Sequence, residues 1–155
     1  MIVSNFLSTE SILIDPKVTD KGDVIRILVS QLHGLDDISR DTISKAVLER
    51  EEVMSTGVGN GIAIPHAKVE FMSDPIVALA VLSEPVDFGS PDGRPVDVVF
   101  LVAGSPNKNS LHLKILSALS RILIQHDLVD GIRNSVNADQ VMQKIQLAET
   151  HVVQL

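Results

Sequence analysis

Two stretches of the chain are apolar without interruption, Ile76 to Leu82 and Val98 to Ala103. Neither alternates with polar residues, so both read as central strands covered on both faces. Between them, Ser90-Pro91-Asp92-Gly93 carries turn-forming residues at each position. It is expected to close a hairpin with arms Val86-Asp87-Phe88 and Arg94-Pro95-Val96. Ser11-Ile12-Leu13-Ile14, stopped by Asp15-Pro16, reads as a further short strand. So does Ile62-Ala63-Ile64, which Pro65 terminates because it has no N–H to give a sheet.

Elsewhere the apolar spacing is helical. Val24, Ile27, Leu28, Leu32 and Leu35 mark one helix, with Gly34 near its end. A second follows, with Ser39 as its expected N-cap and Ile43, Ala46, Val47 and Met54 on its buried face. Gly104 to Asn109 is a polar loop. A long helix capped by Asn109 or Ser110 is expected to run to about Gln125. A short one carries Leu128, Val129 and Ile132. Asn137-x-x-Gln140 has the form of a capping box and opens a last helix bearing Val141, Ile145 and Ala148. Strands mixed with helices point to α/β architecture, a three-layer α/β/α domain occupying residues 1–155 as one unit.

Composition narrows the functions available. The formal net charge is −7 and aromatic residues make up 3%, with no Trp or Tyr. Nucleic acid and anionic membranes are therefore poor partners. The chain has no cysteine, so disulfides, thiolate chemistry and Cys-ligated zinc are excluded. No apolar stretch approaches the ~20 residues that span a bilayer, and the N-terminus lacks the pattern of a signal peptide. A soluble, cytoplasmic protein is expected.

The candidate chemistry centres on Gly57-Val58-Gly59-Asn60-Gly61-Ile62-Ala63-Ile64-Pro65-His66. Three glycines at alternate positions make a loop whose amides are available to an anion. Pro65 delivers His66 just past a strand end, where ligands of α/β sheets bind. A lone histidine there is commonly an ordinary loop residue; the glycines and Pro65 favour a reactive one. Residues 67–74 read as loop. Arg50 falls on the apolar stripe of the second helix, seven residues before Gly57. Either its stem packs while its head reaches water, or it points at the mouth of the glycine loop. His112, near the start of the long helix, is expected to be neutral because the helix N-terminus disfavours a cation. It is either a packing residue or an imidazole donor. A neutral imidazole nucleophile, a second imidazole, a guanidinium and free amides would together hold a phosphoryl group. A metal-dependent hydrolase fits poorly: no His pair has ligand spacing, and Arg50 would repel a cation. His33, His126 and His151 read as surface or helix-end residues.

The runs Leu48-Glu49-Arg50-Glu51-Glu52 and Ser55-Thr56-Gly57 through His66-Ala67-Lys68 resemble the phosphorylation-site signature of IIA proteins of the bacterial phosphoenolpyruvate:sugar phosphotransferase system. The resemblance is to the fructose/mannitol type, which includes the nitrogen-regulatory IIA proteins. It extends through Asp87 to Val96 and His112-Leu113-Lys114-Ile115-Leu116. It implies a mixed sheet between helical layers. It implies that His66 is phosphorylated, with His112 and Arg50 as its neighbours; the loop residues Thr56, Gly57, Gly59 and Gly61 are expected to bind the phosphate. No metal or cofactor is implied. The implied donor is HPr or a similar phosphocarrier. The implied acceptor is a IIB domain, with peripheral association to a membrane IIC complex, or else a regulatory target protein. The family often has an acidic residue just before the second histidine, where this chain has Ser110-Leu111.

Overall fold

The computed structural model describes residues 3–152, so readings of the extreme termini lie outside it. Among these residues six strands form one mixed sheet: β1 (Leu7–Ile14), β2 (Gly57–Gly59), β3 (Ile62–Ala63), β4 (His66–Lys68), β5 (Ile76–Val86) and β6 (Val96–Gly104). Their order is β1-β5-β6-β3-β2, with β4 also paired to β6. β5 and β6 are antiparallel, and in the turn between them Gly93 N–H donates to Ser90 O at 2.9 Å. β1 lies parallel to β5, while β3 and β4 lie parallel to β6. Helices α1 (Lys21–Ser30), α2 (Asp37–Val53), α3 (Asn109–Ile122), α4 (His126–Arg133) and α5 (Ala138–Thr150) complete the fold.

The uninterrupted apolar strands now explain themselves. Along a strand, successive side chains point to opposite faces. Val77, Leu79, Val98, Phe100 and Val102 pack with residues of α3, α4 and α5. Ala78, Ala80, Val99, Leu101 and Ala103 pack with residues of α1 and α2. Two cores, one on each face of the sheet, make the three layers. Each large side chain so buried contributes roughly 1.5–3 kcal/mol.

Several local expectations are corrected. Asp36, not Ser39, caps α2; its carboxylate accepts the Ser39 N–H at 2.7 Å. The buried residues of α2 are Ile43, Val47 and Glu51. That strict four-residue spacing carries the core face past Arg50 and leaves Met54 69% exposed. Neither Asn109 nor Ser110 caps α3, whose N-cap is Lys108 with no side-chain cap bond. Asn109 is occupied instead by the Lys68 ammonium at 2.7 Å. The Asn137–Gln140 motif does open α5: Asn137 accepts the Gln140 N–H at 2.9 Å. The Gln140 side chain reaches one residue further back, to Val136 N–H at 2.9 Å.

Candidate active site

β3 and β4 are two pieces of one path along β6. Ile62 and Ala63 pair with Val98 and Val99; His66, Ala67 and Lys68 pair with Val102, Ala103 and Gly104. Ile64 and Pro65 separate them. Proline cannot donate to the ladder, but the Pro65 carbonyl accepts the Val102 N–H at 3.0 Å and keeps the path attached. His66 therefore opens a short strand and does not simply follow one. The stretch expected as a loop begins only after Lys68. Three residues behind a proline carry too little pattern to announce a strand.

The His66 ring is fixed by its own strand. Its Nδ1 lies 2.8 Å from the Ile64 carbonyl oxygen. A carbonyl only accepts, so Nδ1 carries the hydrogen and donates it. The lone pair is then on Nε2. The ring is half-buried, and its pKa is lowered from the ordinary histidine value near 6.5. Burial is the main cause; the Arg50 and Lys68 charges add to it, while the Ile64 carbonyl and Glu51 oppose it. At neutral pH His66 is an uncharged imidazole with a free Nε2.

His112 reaches the same place from the first turn of α3. The two ring centroids are 5.8 Å apart at an interplanar angle of 54°. His112 is 2% exposed. Its Nδ1 is buried without a hydrogen-bond partner and presses on Gly104. A Cβ at position 104 would collide with Nδ1 and come within 3.2 Å of Cγ. Buried orphan N–H groups are rarer than under-satisfied acceptors. We therefore assign the bare nitrogen to Nδ1 and the hydrogen to Nε2. Burial, then the charges of His66 and Lys68, push the His112 pKa down to about 4.

That depression links acid stability to His112. Between pH 6.5 and about 4 the unfolded chain binds a proton at this residue that the folded chain refuses. Its contribution is complete above the unfolded value and is lost as pH falls toward the folded one. The expected loss is on the order of 2 kcal/mol. Urea denaturation near neutrality and at about pH 4.5 should show a smaller acid loss in His112→Gln than in the parent. Equal losses would contradict this.

Arg50 is half-buried and faces the cleft of His66, not the mouth of the glycine loop. One guanidinium nitrogen donates to the Met54 carbonyl at 2.9 Å, at the C-cap of α2, where a cation suits the helix dipole. The side chain also lines an open cleft of about 540 Å³ together with His66, Lys68 and His112. Val53 and Leu113, 81% and 56% exposed, line it too.

The glycine loop is not brought to this cleft. Thr56, Gly57, Gly59 and Gly61 are absent from its lining among the described residues. The Thr56 N–H is taken by Glu51, at 2.9 and 3.2 Å to the two carboxylate oxygens. The Gly57 N–H is taken by Ser55 Oγ at 3.0 Å. Gly59 and Gly61 have φ of +94° and +78° and turn the β2–β3 hairpin, with Gly61 against Arg133 and Asp97. Five residues of extended chain put Gly61 roughly 16 Å from His66. These glycines build a hairpin, and the expected amide cradle is not what their geometry offers.

Three residues of the site carried no assigned role in the sequence. Lys68 lies two residues after His66, hence on the same strand face, and that spacing was the available signal. Gly104 makes room for His112, and nothing local in the sequence marks it. Glu51 is 3% exposed and shares the four-residue spacing of Ile43 and Val47.

Residues 5–147 match the model of the family described as phosphoenolpyruvate-dependent sugar phosphotransferase system, EIIA 2, and the chain belongs to that family. It is 31% identical over 147 residues to a nitrogen regulatory protein of Bradyrhizobium diazoefficiens, covering 95% of this chain and 96% of that protein. It is 32% identical over 146 residues to the fructose-specific EIIABC component of the phosphotransferase system of Bacillus subtilis. That match covers 94% of this chain, which spans only 23% of the Bacillus protein. Among solved structures, the nitrogen regulatory protein IIA-Ntr of Neisseria meningitidis superposes with a TM-score of 0.86 at 26% identity, covering 92% of this chain and 98% of that one. No described helix is long and apolar enough to cross a membrane.

Proposed function

We propose that the chain is a phosphoryl carrier in which His66 Nε2 accepts a phosphoryl group from a phosphohistidine carrier of the HPr type and passes it on. The observation that carries this reading is the 2.8 Å bond from Nδ1 to the Ile64 carbonyl. It holds one tautomer and leaves Nε2 as nucleophile. Nε2 attacks phosphorus, the donor's P–N bond breaks, and a P–N bond to His66 forms. Nδ1 keeps its hydrogen throughout. The arriving group brings up to about two negative charges. Arg50 and Lys68, both in the cleft, neutralise them, and the His112 Nε2–H donates to the phosphoryl oxygens. Catalysis of this kind is positioning plus electrostatics.

The acceptor, on this reading, is a IIB-type domain of a sugar-uptake system. Similarity to a fructose-specific component supports it, as does likeness in fold to the Escherichia coli complex of enzyme IIAMTL with phosphorylated IIBMTL, at TM-score 0.76 and 23% identity. Exposed Val53 and Leu113 beside the cleft give both partners an apolar docking surface. A second reading makes the same His66 a switch whose phosphorylation state decides which target protein is bound, in the cytoplasm in either case. The similarity to two nitrogen regulatory proteins favours it.

A pulse–chase with labelled phosphoenolpyruvate and the general phosphotransferase components tests the carrier reading. The parent should take up acid-labile, alkali-stable label and surrender it when a IIB acceptor is added. Uptake should slow as salt rises, because an acidic chain of net charge −7 steers toward a basic donor and exposed charges are screened beyond roughly 10 Å at 0.1 M salt. Label that is retained in the presence of every IIB tested, while altering binding to a regulatory target, would favour the switch.

A further inference from the structure

The buried carboxylate of Glu51 has no part in the steps above, although it lies beside them. It sits in the last turn of α2, 3% exposed. Its oxygens accept the Thr56 N–H at 2.9 and 3.2 Å and the Thr56 hydroxyl at 3.0 Å. Thr56 is itself buried, and its carbonyl accepts the Ile64 N–H at 3.0 Å. The Ile64 carbonyl then accepts the His66 Nδ1–H at 2.8 Å. Four residues from three chain segments thus form one continuous hydrogen-bonded line, from a carboxylate to the imidazole.

We propose that Glu51 is a positioning residue for His66, its carboxylate holding Thr56 and through it Ile64, so that the imidazole keeps Nδ1 as donor and Nε2 as the reacting atom. This rests on the reading of His66 as the phosphoryl acceptor.

Each link uses a different peptide group, so what passes along the line is position and not resonance. The design answers a specific difficulty. His66 is approached by two cations, Arg50 from α2 and Lys68 from β4, and by the neutral His112 from α3. Both cations withdraw basicity from the imidazole. The Glu51 charge acts in the opposite sense and raises the His66 pKa. A carboxylate hydrogen-bonded directly to Nδ1 would do the same, but it would set a full negative charge against the ring that receives the phosphoryl group. Placing it two residues back, buried and satisfied by three donor contacts, retains the orientation without an exposed negative charge.

The test is Glu51→Gln, read on isotope-labelled protein by NMR and by the rate of phosphoryl uptake. The amide keeps the shape but loses the charge, and it presents its NH2 group to donors. The His66 pKa should fall further, the Nδ1–H resonance should move upfield as its bond to Ile64 lengthens, and uptake should slow by about 10-fold, the low end of what losing the outer hydrogen-bond partner of a metal-bound histidine costs. Glu10→Gln makes the same change in net charge on the exposed partner of His33 and should alter none of the three. A folded Glu51→Gln with the parent's His66 pKa, Nδ1–H shift and rate would overturn the proposal. Should Glu51→Gln fail to fold, scalar couplings across the Ile64–Thr56 and His66–Ile64 hydrogen bonds of the parent decide: both present supports the line, either absent overturns it. A parent that takes up no phosphoryl group, yet shows these NMR responses to Glu51→Gln, would refute the carrier function and leave the positioning intact.

Discussion

His66→Ala is expected to take up no phosphoryl group at all, while remaining folded. No other histidine can substitute. His112 has the lone pair of Nδ1 against Gly104, and with a pKa of about 4 its imidazole is a poor nucleophile. His33 is exposed and lies 2.8 Å from the Glu10 carboxylate. His126 opens α4 and His151 follows α5; both are exposed and neither lines the cleft. Phosphorylation with labelled phosphoenolpyruvate and the general components should therefore give a fully labelled parent, a fully labelled His33→Ala and a blank His66→Ala. The half-buried ring packs little of either core, so circular dichroism and the melting temperature should change little. Full labelling of His66→Ala would remove the basis of the functional reading.

His112→Ala is expected to be phosphorylated slowly and to pass the group on slowly. Charge shifts across the phosphoryl oxygens during transfer, and a fixed donor there lowers the barrier more than it strengthens ground-state binding. Loss of one such donor costs ~10²–10³ in rate in hydrolases. Arg50 and Lys68 remain in this cleft, which places the expected loss at the lower end. His112→Gln keeps an N–H of similar reach and should lose less. Gly104→Ala tests the same geometry from the other side. Its Cβ would collide with Nδ1, so it should displace the ring and reproduce the slow transfer although His112 is still present. Rapid-quench kinetics in both directions measure all three. Parent rates in both His112→Ala and Gly104→Ala would make His112 a packing residue.

What the sequence disclosed follows from how local each signal is. Residues 76–82 of β5 and 98–103 of β6 are legible because a strand covered on both faces is apolar at successive positions; the exposed Ser83-Glu84-Pro85 end of β5 has no such signal. α5 is legible because its cap is a side chain three residues from the amide that it serves. β4 is not, since three residues behind a proline have no period. Arg50 could not be oriented from spacing, because a charged residue one step off the core face looks like one on it. Glu51, the residue that is buried, passed as one acid among several in Glu49-Arg50-Glu51-Glu52. The glycines misled for a different reason. Closeness in sequence to His66 suggests closeness in space, but Gly59 and Gly61 lie at the far end of the hairpin, where their positive φ angles serve the turn, and the Thr56 and Gly57 amides are already taken. Gly104 was invisible because its importance is the absence of a side chain, felt by a residue eight positions later on another element. The resemblance of the Arg50–His66–His112 constellation to a known signature supplied what spacing could not.

If Ile64 holds Nδ1 of His66, as the 2.8 Å bond requires, the phosphoryl group must go to Nε2. Heteronuclear NMR of the phosphorylated, nitrogen-labelled protein measures this directly, through the coupling of phosphorus to the ring nitrogens. The expected result is one phosphoryl group per chain, bonded to Nε2 of His66, with Nδ1 still protonated and hydrogen-bonded. Phosphorus on Nδ1, or on any residue other than His66, would refute Nε2 of His66 as the reacting atom.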